Sequence, residues 1–232
     1  MTVEEEAAPP QSSWSRPVVI GASVIAVLLL GAVLGMFLTQ RALSSSDSAT
    51  PGANSVEVGF AQDMSVHHLQ AVTMANWARD HSTDPEIRQL AFDIQSTQLE
   101  QVGRMKGWLM LWGQPEQPTG GYMTWMTQAG GHDMAGMSMA SSSALPADAP
   151  MPGMATNAEL AKLRSLSGKD LDVYFLQLML RHHQGGTGMA QYAYDHASVA
   201  AVKTLAQSIL QSQGAEMTLM KQQLAARGAQ PL

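Results

Sequence analysis

Two pairs of adjacent histidines are the residues of this chain best suited to chemistry. His67-His68 lies in Met64-Ser65-Val66-His67-His68, and His182-His183 lies in Met179-Leu180-Arg181-His182-His183. Met74 and Met189 follow two turns later along each segment. Imidazole nitrogens and thioether sulfurs are metal donors. Imidazole suits both copper oxidation states, and thioether is a soft ligand that selects Cu(I). The chain has no cysteine, so a metal site here must use His, Met, carboxylate or backbone ligands. Zinc prefers Cys, His and carboxylate, and calcium and magnesium need oxygen ligands, which are sparse around both pairs.

The pairs belong to a longer repeat. His182 follows His67 by 115 residues, and the same offset relates Phe60 to Phe175, Met64 to Met179, Met74 to Met189 and His81 to His196. It continues without a gap through Leu90/Leu205, Ile94/Ile209, Gln98/Gln213 and Met105/Met220. Phe60, Met64, His67, Ala71 and Met74 recur at helical spacing, as do Ile87, Leu90, Ala91, Ile94, Gln98, Gln101 and Met105. Between the two stripes, Asp84 is suited to N-cap a helix that opens on Pro85. Gly113 and Pro115 stop that helix after Trp112. In the second copy Ser198 is the expected cap. Each copy therefore reads as a helical hairpin, 56–112 and 158–228, the latter including a short helix Ala158–Ser167 ended by Gly168. Two hairpins make an all-α four-helix bundle.

Antiparallel pairing within each hairpin brings His67 level with Gln98, Met64 with Gln101, His182 with Gln213 and Met179 with Glu216. The polar residues are expected at the end of each hairpin away from its turn. Neighbours on a helix point about 100° apart, so one histidine of each pair faces the bundle axis and the other a neighbouring helix or the surface. A buried polar group without a partner costs ~1–3 kcal/mol, against a domain stability of ~5–15 kcal/mol. Four histidines with glutamines and a glutamate must therefore bond each other, reach water, or bind an ion. A methionine stripe alone is ordinary packing. Its coincidence with two histidine pairs favours a metal. His81 and His196 end helices, where a cationic ring suits the dipole.

Residues 113–157 form a biased linker holding seven of the 17 methionines: Met123, Met126, Met134, Met137, Met139, Met151 and Met154. A flexible strand has no packing need for methionine, so His132, Met134, Met137 and Met139 join the candidate ligands. Trp108, Trp112 and Trp125 are expected to be exposed.

Residues Val18–Leu38 carry no charge and match a hydrocarbon core of ~30 Å at ~1.5 Å per residue. A membrane anchor over 17–39 is the expectation, after a short tail (1–16) and before a flexible tether (40–55). A cleaved signal peptide is the alternative. Against it stand the length of the apolar run and the acidic Glu4-Glu5-Glu6. The formal net charge is −6 with no basic stripe, which argues against nucleic acid. A di-iron enzyme needs inward Glu residues and Glu-x-x-His pairs, and no Glu-x-x-His occurs.

The pattern resembles the domain-of-unknown-function family 305, a ferritin-like group. The matching residues include Phe175, Met179, His182-His183-Gln184-Gly185-Gly186, Met189, His196, Gln213, Glu216 and Met220. Phe60, Met64, His67-His68, Gln70-Ala71, Met74, Gln98 and Met105 match in the first copy. Gln101 stands where the family has Glu, and Gly186 where it has Ala. The resemblance implies an extracytoplasmic, copper-binding bundle. The expected function is a membrane-anchored copper-binding protein without turnover, for sequestration or for delivery to a membrane cuproenzyme. The alternative is an accessory subunit of a larger, respiratory-type membrane complex. The candidate ligands are His67, His68, His182, His183, Met64, Met74, Met179, Met189, Glu216, Gln98, Gln213 and the four linker residues named above.

Overall fold

A computed structural model of the chain describes residues 16–44, 50–127 and 149–232. Among these residues the secondary structure is entirely helical. The first helix, α1 (Arg16–Ser44), forms a unit of its own. It contains a span, Val18–Arg41, long and apolar enough to cross a membrane. Every residue from 18 to 41 is exposed.

The second unit runs from Thr50 to Leu232. It consists of α2 (Val56–His81), α3 (Pro85–Leu111), a single 3-10 turn (Thr124–Thr127), α4 (Asn157–Ser165), α5 (Gly168–His196) and α6 (Ala200–Ala226). Helices α2 and α3 form one hairpin, and α5 and α6 the other, as the repeat requires. Asp84 caps α3 by accepting from Glu86 N (2.9 Å), with Pro85 in the first turn. Gly113 ends α3 at φ 64, a left-handed conformation that costs glycine little.

Two local expectations are corrected. Ser198 does not cap α6. Val199 holds that position, and Ser198 instead gives its backbone N–H and hydroxyl to Glu57 Oε1, the hydroxyl at 2.8 Å. Gly168 does not end α4. It opens α5 at φ 54, while α4 ends at Ser165. Thr156 and Glu159 cap the start of α4 reciprocally, a pairing that satisfies two orphan N–H groups.

The hairpins meet through α2 and α5, which run antiparallel. The first half of α2 packs with the last half of α5 in one apolar cluster, around Phe60, Met64, Met105, Met189 and Ile209. The last half of α2 packs with the first half of α5 in another, around Met74, Ile94, Phe175, Met179 and Met220. Each end is also tied by a buried carboxylate. Glu57 in the first turn of α2 accepts from Ser198 in the α5–α6 turn. Asp172 in the first turns of α5 accepts from Ser82 in the α2–α3 turn (2.6 Å). Glu57 and Asp172 are themselves separated by 115 residues, so the carboxylate tie is part of the repeat.

The segments flanking the described ends of the linker pack onto the bundle. Trp125 is buried, not exposed as the sequence suggests, and its indole donates to Asp63 Oδ2 (2.8 Å). Met123 N donates to the same oxygen (2.6 Å). Trp125 lies so close to α2 that a Cβ on Gly59 would meet its Cγ at 2.2 Å. Asp63 therefore holds a loop. Its carboxyl is pushed up by burial, against the pull of those two donors.

Candidate metal centre

All four paired histidines are fully buried. Gln98, Gln101 and Gln213 are buried with them, and Glu216 keeps only 18% side-chain exposure. Their place differs from the expected one. They form a polar layer at the waist of the bundle, with an apolar cluster on each side. Each pair or glutamine sits at the middle of its own helix, α2 (56–81), α3 (85–111), α5 (168–196) or α6 (200–226), so the layer is central in both hairpins.

His67 and His182 face each other across the α2–α5 contact, with ring centroids 3.8 Å apart and planes inclined at 41°. The crossing is close there because Gly186 offers no side chain. A Cβ on Gly186 would lie 3.0 Å from Cε1 and 3.4 Å from Nδ1 of His67. Gly186 thus makes room for the His67 ring. His68 and His183 turn outward along the same layer, as the helix angle requires. His68 bonds Gln101 on α3, and His183 bonds Glu216 on α6.

The hydrogen bonds assign the ring protons. His182 Nε2 donates to the His67 carbonyl oxygen (3.0 Å), and His67 Nε2 donates to the Pro152 carbonyl oxygen (3.1 Å). Carbonyl oxygens only accept. His68 Nε2 faces Gln101 Oε1 at 2.8 Å, and His183 Nε2 faces Glu216 Oε2 at 2.6 Å. Every ring therefore spends Nε2–H on an oxygen. Burial lowers the His67 pKa to about 4 and, with the charge of His67, that of His68 to about 3. Burial pushes His182 well below the ordinary range, and the neighbouring histidines push it further. These three rings are neutral at physiological pH, and each keeps a bare Nδ1 lone pair. His183 shares the geometry.

Among the described residues, no protein group meets those lone pairs. Nδ1 of His67, His68, His182 and His183 is buried without a partner, and so are both amide atoms of Gln98 and of Gln213. At ~1–3 kcal/mol for each of these eight atoms, the layer would cost ~8–24 kcal/mol if left unsatisfied. That equals or exceeds the whole ~5–15 kcal/mol stability of a domain. The described residues do not satisfy the layer by themselves, so a further donor, water or an ion must. Imidazole nitrogens with their other N–H fixed on oxygen are the arrangement that orients metal-bound histidines. Among the described residues, however, no three His, Asp or Glu side chains come together as a chelate.

Met64 and Met189 are buried in one flanking cluster, and Met74 and Met179 in the other. Met64 and Met179 stand one helical turn from the histidine pairs, where side chains are neighbours. His132, Met134, Met137 and Met139 lie outside the described residues. His81 and His196 are apart from the layer. Each bonds its own helix through the carbonyl four residues back, and they stack on Trp77 and Tyr192. Grooves of about 380 and 610 Å³ lie near the start of α3, and neither is lined by a histidine.

A strap that sequence reading missed closes one side of the layer. Residues 149–156 lie across α2 and α5, with Met151 and Met154 buried in the core. These two linker methionines pack, against expectation. The Gln70 amide holds both polar atoms of Ala155, at 2.8 and 2.6 Å. Arg181, next to His182, forms a two-pronged pair with Glu159 (2.7 Å each) and reaches the Met154 carbonyl (3.5 Å). Gly185 admits the strap, since a Cβ there would lie 2.1 Å from the Pro152 oxygen. The signal in the sequence was the Gly185-Gly186 pair inside a helix, where glycine is otherwise unfavourable.

Comparison with known proteins places this architecture. The family model described as a domain of unknown function, DUF305, matches residues 57–224. A DUF305 protein of Streptomyces coelicolor, described as secreted, is 43% identical, with 78% of this chain and 99% of that chain covered at a TM-score of 0.67. A DUF305 fragment from Deinococcus radiodurans is 34% identical, with 76% and 99% covered at a TM-score of 0.59. CopM in its Cu(II)-bound form is 26% identical, with 74% and 97% covered at a TM-score of 0.53. No curated protein matches the chain. With the family model spanning the bundle from the first turn of α2 to the last turn of α6, the chain belongs to the DUF305 family.

Proposed function

We propose that this chain is a membrane-anchored, extracytoplasmic copper-binding protein that stores or hands on copper without turnover. The observation that carries the reading is the waist layer. It holds four buried imidazoles whose Nε2 atoms are committed to oxygen and whose Nδ1 atoms are partnerless. Neutral imidazoles suit both copper oxidation states, and the nearby thioethers favour Cu(I). Copper here is cargo. His67, His68, His182 and His183 are its principal holders, with Met64, Met179, Gln98 and Gln213 beside them and Met74 and Met189 farther along. Glu216 orients His183, and the linker residues His132, Met134, Met137 and Met139 capture the ion or pass it on. The likeness to CopM, whose solved form holds Cu(II), supports the choice of metal. The apolar span of α1 supports the anchor, and the secreted relative supports the extracytoplasmic side. A membrane cuproenzyme is the recipient this location favours.

Cu(I) and Cu(II) titration of the full chain in detergent tests the reading. The comparison is with a variant carrying Ala at the four paired histidines and with one carrying Leu at Met134, Met137 and Met139. Copper retained by the linker variant and lost by the histidine variant supports it. Equal binding by wild type and the histidine variant refutes the site. Absence of copper from all three refutes the function.

A further inference from the structure

One tip of the bundle carries an apolar surface that the bundle itself does not cover. Met110 and Leu111, in the last turn of α3, are 75% and 76% exposed. Trp108 and Trp112 stack beside them, half-buried, with ring centroids 6.1 Å apart. The charged side chains nearby are already paired, Lys106 with Glu116 (2.6 Å) and Arg104 with Glu100. The surface is therefore apolar and aromatic, with its charges matched internally.

The same tip receives the chain from the apolar span. Pro51 lies there, its carbonyl accepting from Gln114 Nε2 (3.4 Å) just beyond α3. Ser44, the last residue of α1, is six peptide steps from Thr50. Six steps reach at most about 20 Å. With α1 across a bilayer, that reach limits how far Thr50 can lie from Ser44 and so allows this tip to meet the headgroups. Indole rings favour that level, and flanking apolar side chains enter the acyl boundary.

We propose that the tip formed by Trp108, Met110, Leu111 and Trp112 is a lipid-interface docking surface. This rests on the anchored reading given above. Contact is made by apolar insertion, so it needs no anionic lipid and persists at high salt.

The absence of cysteine makes the test direct. Leu111→Cys and Leu219→Cys each give one nitroxide position. Leu219 is exposed on α6, close to the cluster at the opposite tip. The full chain is reconstituted into phosphatidylcholine vesicles, and each label's accessibility to oxygen and to a polar nickel chelate is measured. The expected result is a several-fold higher oxygen-to-nickel ratio at position 111 than at 219, unchanged at high salt. Adding Met110→Asp to the Leu111→Cys chain should bring the ratio down to that at 219. An aqueous ratio at 111 in a chain that floats with the vesicles overturns the docking surface alone, and so does a ratio indifferent to Met110→Asp. A chain that does not float with vesicles overturns the anchor and the docking surface together.

Discussion

Acidification should dismantle the metal-free bundle well above the pH at which its carboxylates titrate. His67, His68 and His182 are held neutral in the fold, with pKa values of about 4, about 3 and well below 6.5. In the unfolded chain each returns to about 6.5. Between the two values the unfolded chain binds protons that the folded chain refuses. Stability is therefore full above about pH 6.5 and is lost as pH falls towards the folded values. The slope is about 1.4 kcal/mol per pH unit for each ring. Across the ~1.5 units from about pH 6.5 to about pH 5, three rings remove ~6 kcal/mol. That is comparable to the ~5–15 kcal/mol of a whole domain. The depressed carboxyls of Glu57 and Glu159 start from an unfolded value of 4.5, so they do not enter this window. Urea unfolding followed by circular dichroism, without metal, at about pH 7.5, 6 and 5 measures the slope. Replacing His67 and His182 with Gln should cut it from about three rings' worth to about one. A stability that stays flat from about pH 7 to 5 would show the rings to be solvated and would refute the buried neutral layer.

Two further outcomes follow from the strap and from the unequal copies. Gly185→Ala places a Cβ 2.1 Å from the Pro152 oxygen. The strap must lift, leaving the His67 N–H unpaired and uncovering Met151 and Met154, for a loss of about 3 kcal/mol or more; wild-type urea stability in this variant would contradict that packing. Glu216→Gln gives His183 the amide partner that His68 already has. It should cost about 1 kcal/mol as a charge-assisted bond becomes neutral. Urea unfolding that matches wild type would show that this carboxylate does not hold His183.

The hairpins were legible because their information is local. Helical spacing, the Asp84-Pro85 start and the ungapped 115-residue offset are all read along the chain. The outward turn of His68 and His183 was legible from the helix angle alone. The waist position of the layer was missed, although it follows from the helix bounds: Phe60, Met64 and Met105 continue the apolar stripe beyond the histidines, away from the turn. The antiparallel crossing of α2 and α5, in contrast, is a choice made between hairpins. The tie that makes this choice, Glu57 to Ser198 and Asp172 to Ser82, was present in the offset as Glu57/Asp172. Acidic residues in a first helical turn read as ordinary dipole partners, which concealed their role. Met151, Met154 and Trp125 misled for a related reason. They lie in sequence that looks like linker, and only their long-range partners Gln70, Gly185 and Asp63 reveal that it packs.

The most direct test of the central claim is nitrogen NMR of the full chain labelled at histidine, with Cu(I) added stepwise. Before copper, the rings of His67, His68 and His182 should be neutral, protonated at Nε2 and bare at Nδ1. On addition of Cu(I), their Nδ1 signals should move while the Nε2–H signals to Pro152, Gln101 and the His67 carbonyl persist. Coordination through Nε2, or histidine signals untouched by Cu(I), would rule out the buried imidazole layer as the copper site.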